Sequence, residues 1–144
     1  MKKNIKFIEE YLKSIKGQEI TKCYRKFFDE KEGFPNSLVD LERDGDVYLE
    51  LTDGNLLYFY SSTENFSIDF EMLNFDNLPN DVMNISDCSY WSERLLYKIT
   101  DMDAIYSEYS DVPYGINIYL ENKKTISIQY ISENEYTFDA LIIK

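Results

Sequence analysis

The last quarter of the chain, residues 114–144, limits the possible folds most. Ile116, Ile118 and Leu120 alternate there with Asn117, Tyr119 and Glu121. After the polar break Asn122-Lys123-Lys124, Ile126, Ile128 and Tyr130 alternate with Ser127 and Gln129, and a third apolar run covers 138–143. Successive side chains of a strand point to opposite faces, so this pattern describes antiparallel strands with one apolar and one wet face.

The rest of the chain supplies matching pieces. Asn4–Lys16 reads as an amphipathic helix, with Ile5, Ile8, Leu12 and Ile15 at helical spacing, Tyr11 beside them, Asn4 as N-cap and Gly17 as the closing glycine. Strands are expected over 19–28, with Ile20, Lys22 and Tyr24 on one face and Thr21, Cys23 and Arg25 on the other. A hairpin is expected over Asp46–Ser61 about a two-residue Asp53-Gly54 turn, followed by a strand over 66–72. Residues 32–37 and 74–86, rich in turn formers, read as loops, and Ser37–Glu42 is ambiguous. A second helix of two to three turns is expected within Asp87–Lys98, capped by Ser86, Asp87 or Ser89 and facing inward through Cys88, Trp91 and Leu95. A strand over 99–109 follows, with Ile99, Asp101, Asp103 and Ile105 set against Thr100, Met102, Ala104 and Tyr106.

The expected fold is therefore a single α+β domain over residues 1–144, mainly an antiparallel meandering sheet with an N-terminal amphipathic helix and a short central helix. A shift of 70 residues lays Tyr60–Asp69 over Tyr130–Asp139 and Leu56 over Ile126. Either the chain contains a duplicated helix-plus-meander unit, or two hairpins built from the same residue types resemble each other.

Composition narrows the function. No histidine occurs, which excludes Ser-His-Asp and Cys-His catalysis and histidine-based metal sites. Cys23 and Cys88 have no metal-ligand spacing and are expected to be reduced, buried thiols. Asp44-Gly45-Asp46 and the pair Asp101, Asp103 are too short for a calcium loop, so neither a metal nor a cofactor is expected. The N-terminus has no signal-peptide apolar run and no segment approaches the length of a membrane span, so a cytoplasmic protein without membrane contact is expected.

Charge is distributed unevenly. Residues 1–31 carry a net +4, residues 32–97 a net −12 and residues 98–144 a net −4, within a total of −12. Such a bias serves solubility, or it serves a basic partner, and it disfavours direct contact with nucleic-acid phosphate. Between Asp101 and Tyr114, Asp101, Asp103, Glu108 and Asp111 are interleaved with Tyr106, Tyr109 and Tyr114, with no basic residue. Tyrosine supplies apolar area and a polar tip with few torsions to freeze, so this mixture suits a protein-binding surface. Asp44, Asp46 and Asp53 form a second candidate patch at the hairpin.

With Tyr130-Ile-Ser-Glu-Asn-Glu-Tyr-Thr-Phe-Asp-Ala-Leu-Ile-Ile and the strand opening Tyr114-Gly115-Ile116, this small, acidic, histidine-free α+β chain resembles the immunity proteins of bacterial polymorphic toxin systems. The resemblance implies a non-enzymatic protein that binds and blocks a basic toxin or nuclease domain. It transfers no individual functional residue. The alternative is a cytosolic ligand- or peptide-binding scaffold with an aromatic pocket. A third possibility is a carboxylate-dependent hydrolase, which needs two acids converging in a cleft.

Overall fold

The computed structural model describes residues 5–27, 41, 44–62, 67–109, 111–131 and 140–144. Helix α1 spans Ile5–Ile15. It buries Ile8 and Ile15, and it ends where Gly17 takes φ +89° and the amide of Gln18 donates to the carbonyl of Ile15 at 2.9 Å. A left-handed residue just past the last turn is the usual way to satisfy helix-end carbonyls. The expected cap at Asn4, the loop over 32–37, the stretch 37–40, Phe66 and most of the repeat's second copy (132–139) lie outside the described residues.

Among the described residues the chain forms two antiparallel sheets. Strands β1 (Ile20–Arg25), β2 (Val47–Leu51), β3 (Asn55–Ser62), β4 (Ser67–Asn74) and β5 (Met83–Asn84) make the first, in the order β4-β3-β2-β1-β5. Strands β6 (Ile99–Tyr106), β7 (Pro113–Leu120), β8 (Thr125–Ile131) and β9 (Ala140–Ile143) make the second, in sequence order. The expected α+β meander is what forms. β4 packs across from β7 and β8, and β3 from β9. One apolar core joins Val47, Leu49, Phe59 and Ile68 with Ile116, Ile118, Ile126 and Ile128. Arg25, fully buried, reaches from the first sheet to the second, donating to the carbonyls of Gly45 and Leu141.

Three expectations are corrected in detail. The central helix α2 is a single turn, Ser89–Ser92, with Cys88 in the N-cap position and no side-chain cap bond; turn residues follow it as far as Leu96, which adopts φ +67°. The hairpin loop has three residues, Thr52-Asp53-Gly54, because the amide of Gly54 donates to Leu51 at 2.9 Å and Glu50 pairs with Leu56. Gly54, at φ +86°, fills the left-handed place that such three-residue loops require. Residues 74–86 also contribute the short strand β5, which the turn-forming composition conceals.

The two halves, α1-β1-β2-β3-β4 and α2-β6-β7-β8-β9, repeat each other at the level of single hydrogen bonds. Ile20 pairs with Leu51 and Lys22 with Glu50, leaving Thr21 as a bulge; Ile99 pairs with Leu120 and Asp101 with Tyr119, leaving Thr100 as a bulge. The Thr21 hydroxyl donates to the carbonyl of Glu50 at 3.3 Å, and the Thr100 hydroxyl to the carbonyl of Tyr119 at 3.2 Å. The amide of Gly17 donates to Ile99 at 2.8 Å while that of Leu96 donates to Ile20 at 2.9 Å. These last two bonds exchange the halves, so an approximate two-fold axis relates them. The hairpin pairs Leu49↔Leu57 and Ile118↔Ile126 set the offset of β2 and β3 at 69 residues rather than 70. Because strand side chains alternate, a one-residue difference exchanges the faces.

Candidate partner-binding groove

Strand β6 is an edge of its sheet, and its position beside α1 creates the site. Ile8, Glu9 and Leu12 of α1 face Asp101, Met102, Asp103, Ala104 and Tyr106 of β6 across a groove of about 360 Å³. Asp101 and Asp103 are exposed, whereas Met102 is buried and Ala104 is half-buried. Residues from both faces of the strand thus line one groove, which requires that the groove run along the strand's outer edge.

The two aspartates are held in place locally. Asp103 accepts from the Tyr119 hydroxyl at 2.9 Å and from the Asn117 side-chain amide at 3.1 Å, both on β7. The bond to Asp103 is the main reason that the Tyr119 hydroxyl holds its proton more tightly than a free tyrosine, with burial adding to it. Asp101 accepts from the backbone amide of its neighbour Met102 at 2.8 Å. The ion pairs seen among the described residues are Lys26–Asp81, Arg94–Glu93 and Lys124–Glu93. None of them involves Glu9, Asp101 or Asp103.

The structure therefore gathers Asp101, Asp103 and Tyr106 in one place. Glu108 and Tyr109 follow in the turn after β6, both exposed, Tyr109 at 94%. Asp111 is exposed just before β7, and Tyr114 is half-buried on β7.

The second candidate patch does not assemble. Asp44 is 6% exposed and bridges β9 through backbone bonds with Leu141, with its carboxylate turned onto the amide of Gly45. Asp46 is half-buried and accepts from the Tyr58 hydroxyl at 2.8 Å. Its burial makes ionisation harder and raises the carboxyl pKa, an effect that the Tyr58 bond partly offsets. Asp53 stands at the far end of β2, in the hairpin turn, bonded to Gln18 and Asn55.

Sequence reasoning missed two features. Glu9 joins the groove from a helix more than ninety positions earlier in the chain, and helical spacing alone marks it only as a solvated face. The second feature is a ladder of tyrosines on the first sheet. The Tyr48 and Tyr58 rings stack at 4.6 Å, and Tyr58 and Tyr60 at 4.8 Å. A two-residue turn would set Tyr48 opposite Phe59; the three-residue loop sets it opposite Tyr58, and with that register the pair could have been found.

No family model, no curated protein and no solved structure matches this chain. Any functional reading therefore rests on the geometry. Among the described residues no group of three or more His, Cys, Asp or Glu side chains is placed to hold a metal ion. Nor is any helix among them long and apolar enough to cross a membrane.

Proposed function

We propose that this protein is a non-enzymatic acidic binding protein that neutralises a basic protein partner, a toxin or nuclease domain, in the cytoplasm of a bacterial cell, as immunity proteins do. One observation carries the reading. Glu9, Asp101 and Asp103 line a single groove, and no lysine or arginine among the described residues pairs with them. Like charges left together at a surface oppose folding slightly and reward the arrival of an opposite charge, which both steers and selects a partner. The half-buried Leu12 and the nearby exposed Tyr109 supply apolar area for a tight contact.

The test uses the protein encoded by the neighbouring reading frame. Its expression alone is expected to stop growth, and co-expression of this chain to restore it. The double variant Asp101→Lys/Asp103→Lys is expected to lose protection while remaining folded. Protection that is indifferent to this charge reversal, or a harmless neighbour, would contradict the proposal.

A further inference from the structure

The two halves differ at the outer edge of their first strands, and the difference concerns the same groove. In the first half, the outer edge of β1 carries an added strand. β5 pairs antiparallel to it, Tyr24 with Asn84 and Arg25 with Met83. The carbonyl of Cys23 accepts from the amide of Ile85 at 2.9 Å, and the amide of Cys23 donates to the Ser86 hydroxyl at 2.9 Å. The counterpart of Cys23 in the second half is Met102, since Cys23 pairs with Leu49 as Met102 pairs with Ile118. No strand among the described residues pairs with the outer edge of β6. The amide of Met102 is instead satisfied by the Asp101 carboxylate.

Backbone groups along a sheet edge seek hydrogen bonds, and folded proteins guard such edges with charged side chains or with a covering element. Asp101 stands in the place of such a guard. Its carboxylate occupies the position an incoming carbonyl would take, and it can leave without disturbing the pairing of β6 with β7. The groove beside it is open, and its wall is acidic through Glu9, Asp101 and Asp103 and apolar through Ile8, Leu12 and Met102.

We infer that β6 binds an extended basic–apolar segment of a partner protein by strand addition, antiparallel to β6 and seated as β5 is seated on β1. The segment's amides and carbonyls bond Met102 and Ala104. Its alternate side chains divide between the two walls: lysine or arginine reaches Glu9, Asp101 and Asp103, and an apolar residue lies against Ile8 and Leu12. The Asp101 carboxylate, displaced from the Met102 amide, becomes available to the incoming cation. Backbone pairing supplies affinity in this mode, and the side-chain pockets supply selection. This deepens the proposed function and rests on its account of the groove.

The experiment uses the full chain and a synthetic fluorescent peptide of alternating lysine and valine, about eight residues long, the length of an ordinary strand. A second peptide of the same sequence carries N-methyl groups on its two central residues, which blocks pairing along both of its edges. The unmodified peptide is expected to bind saturably and to shift the amide resonances of Met102 and Ala104. The methylated peptide is expected to bind roughly tenfold more weakly or worse, through the loss of one or two main-chain hydrogen bonds. Asp101→Asn/Asp103→Asn is expected to weaken the unmodified peptide while changing the amide resonances of the unliganded fold only near the two substituted residues and their partners.

Equal binding of the two peptides would overturn strand addition while leaving the acidic docking surface in place. Failure of either peptide to bind saturably would also overturn it, as would shifts confined to another edge, such as that of Phe70 on β4. The growth assay above, which does not depend on backbone pairing, separates the failure of this inference from the failure of the proposed function.

Discussion

Leu96 stands where the other half of the molecule has Gly17. Both residues adopt the left-handed conformation, at φ +67° and +89°, and each donates its amide to the first strand of the opposite half. Glycine enters that region without strain, whereas a leucine there costs about 1–2 kcal/mol. The Leu96 side chain is 64% exposed and recovers little of that cost by burial.

Leu96→Gly is therefore expected to stabilise the fold by about 0.5–1 kcal/mol, less than the full relief of strain because glycine also gains freedom in the unfolded chain. Gly17→Ala, where open space surrounds the added methyl, is expected to destabilise it by about 1 kcal/mol. Urea denaturation midpoints check both signs. A destabilised Leu96→Gly would show that the leucine side chain holds the turn by a contact.

Arg25 is fully buried and donates to the carbonyls of Gly45 and Leu141, so it ties the two sheets together near the end of β9. Arg25→Met fills similar volume but takes its donor from the Gly45 carbonyl and leaves the Leu141 carbonyl only the Asp44 amide. A loss of about 1–3 kcal/mol is expected, the size seen when a buried polar group is left without its partner. Thermal unfolding measures it, and a neutral result would mean that water or another donor takes over the carbonyls.

Asp46 predicts a pH dependence. Its carboxyl pKa in the folded state is raised from 3.8 by burial. Its contribution is therefore fully present below the unfolded pKa and is lost as pH rises through the folded value. Asp46→Asn keeps an oxygen for the Tyr58 hydroxyl and removes the buried charge. The variant is expected to be more stable than the parent at pH 7, with the advantage shrinking as pH falls toward 3.8. An advantage that grows in acid would contradict this assignment.

The tyrosines predict a matching loss in alkali. Burial is the main reason that Tyr48 and Tyr58 hold their protons more tightly than the usual value of 10.0, and Tyr58 is raised further by its bond to Asp46. Burial also pushes Tyr90 up to about 12. Groups with raised folded pKa values stabilise below the unfolded value and lose that contribution as pH climbs above it. Burial likewise raises the Cys23 thiol from 9.0, so urea midpoints are expected to begin falling above pH 9.0 and to fall more steeply above 10.0. Tyr58→Phe should reduce the steepness of that fall.

Most of the strand framework was legible because the alternation around Ile116–Leu120 and Ile126–Tyr130 is set by the pleat itself. The bulges were not. A strict alternation puts Ile20 with Lys22 and Tyr24, but the extra residue Thr21 changes phase, so that Ile20 shares the buried side with Cys23 and Arg25. Thr100 does the same for Ile99 and Met102. Bulge positions depend on cross-strand hydrogen bonds, and no residue type announces them. One wall of the groove was readable because it lies on one strand, where Asp101, Asp103 and Tyr106 line it together. Where it required tertiary packing, as for Glu9, or a particular turn length, as for the tyrosine ladder, local pattern carried no signal. Asp44 was misplaced for the same reason, since its backbone pairing with Leu141 joins residues almost a hundred positions apart.

The proposed function requires the groove's negative charge to draw in a positive partner. The association rate of the purified neighbouring-frame domain with this protein, followed between roughly 20 and 150 mM salt, tests that most directly, because screening across this range weakens attraction between surface charges. The rate is expected to fall steeply with salt, and Asp101→Lys/Asp103→Lys is expected to slow association at low salt while leaving the melting temperature unchanged. An association rate that is flat with salt and unaffected by that charge reversal would contradict it.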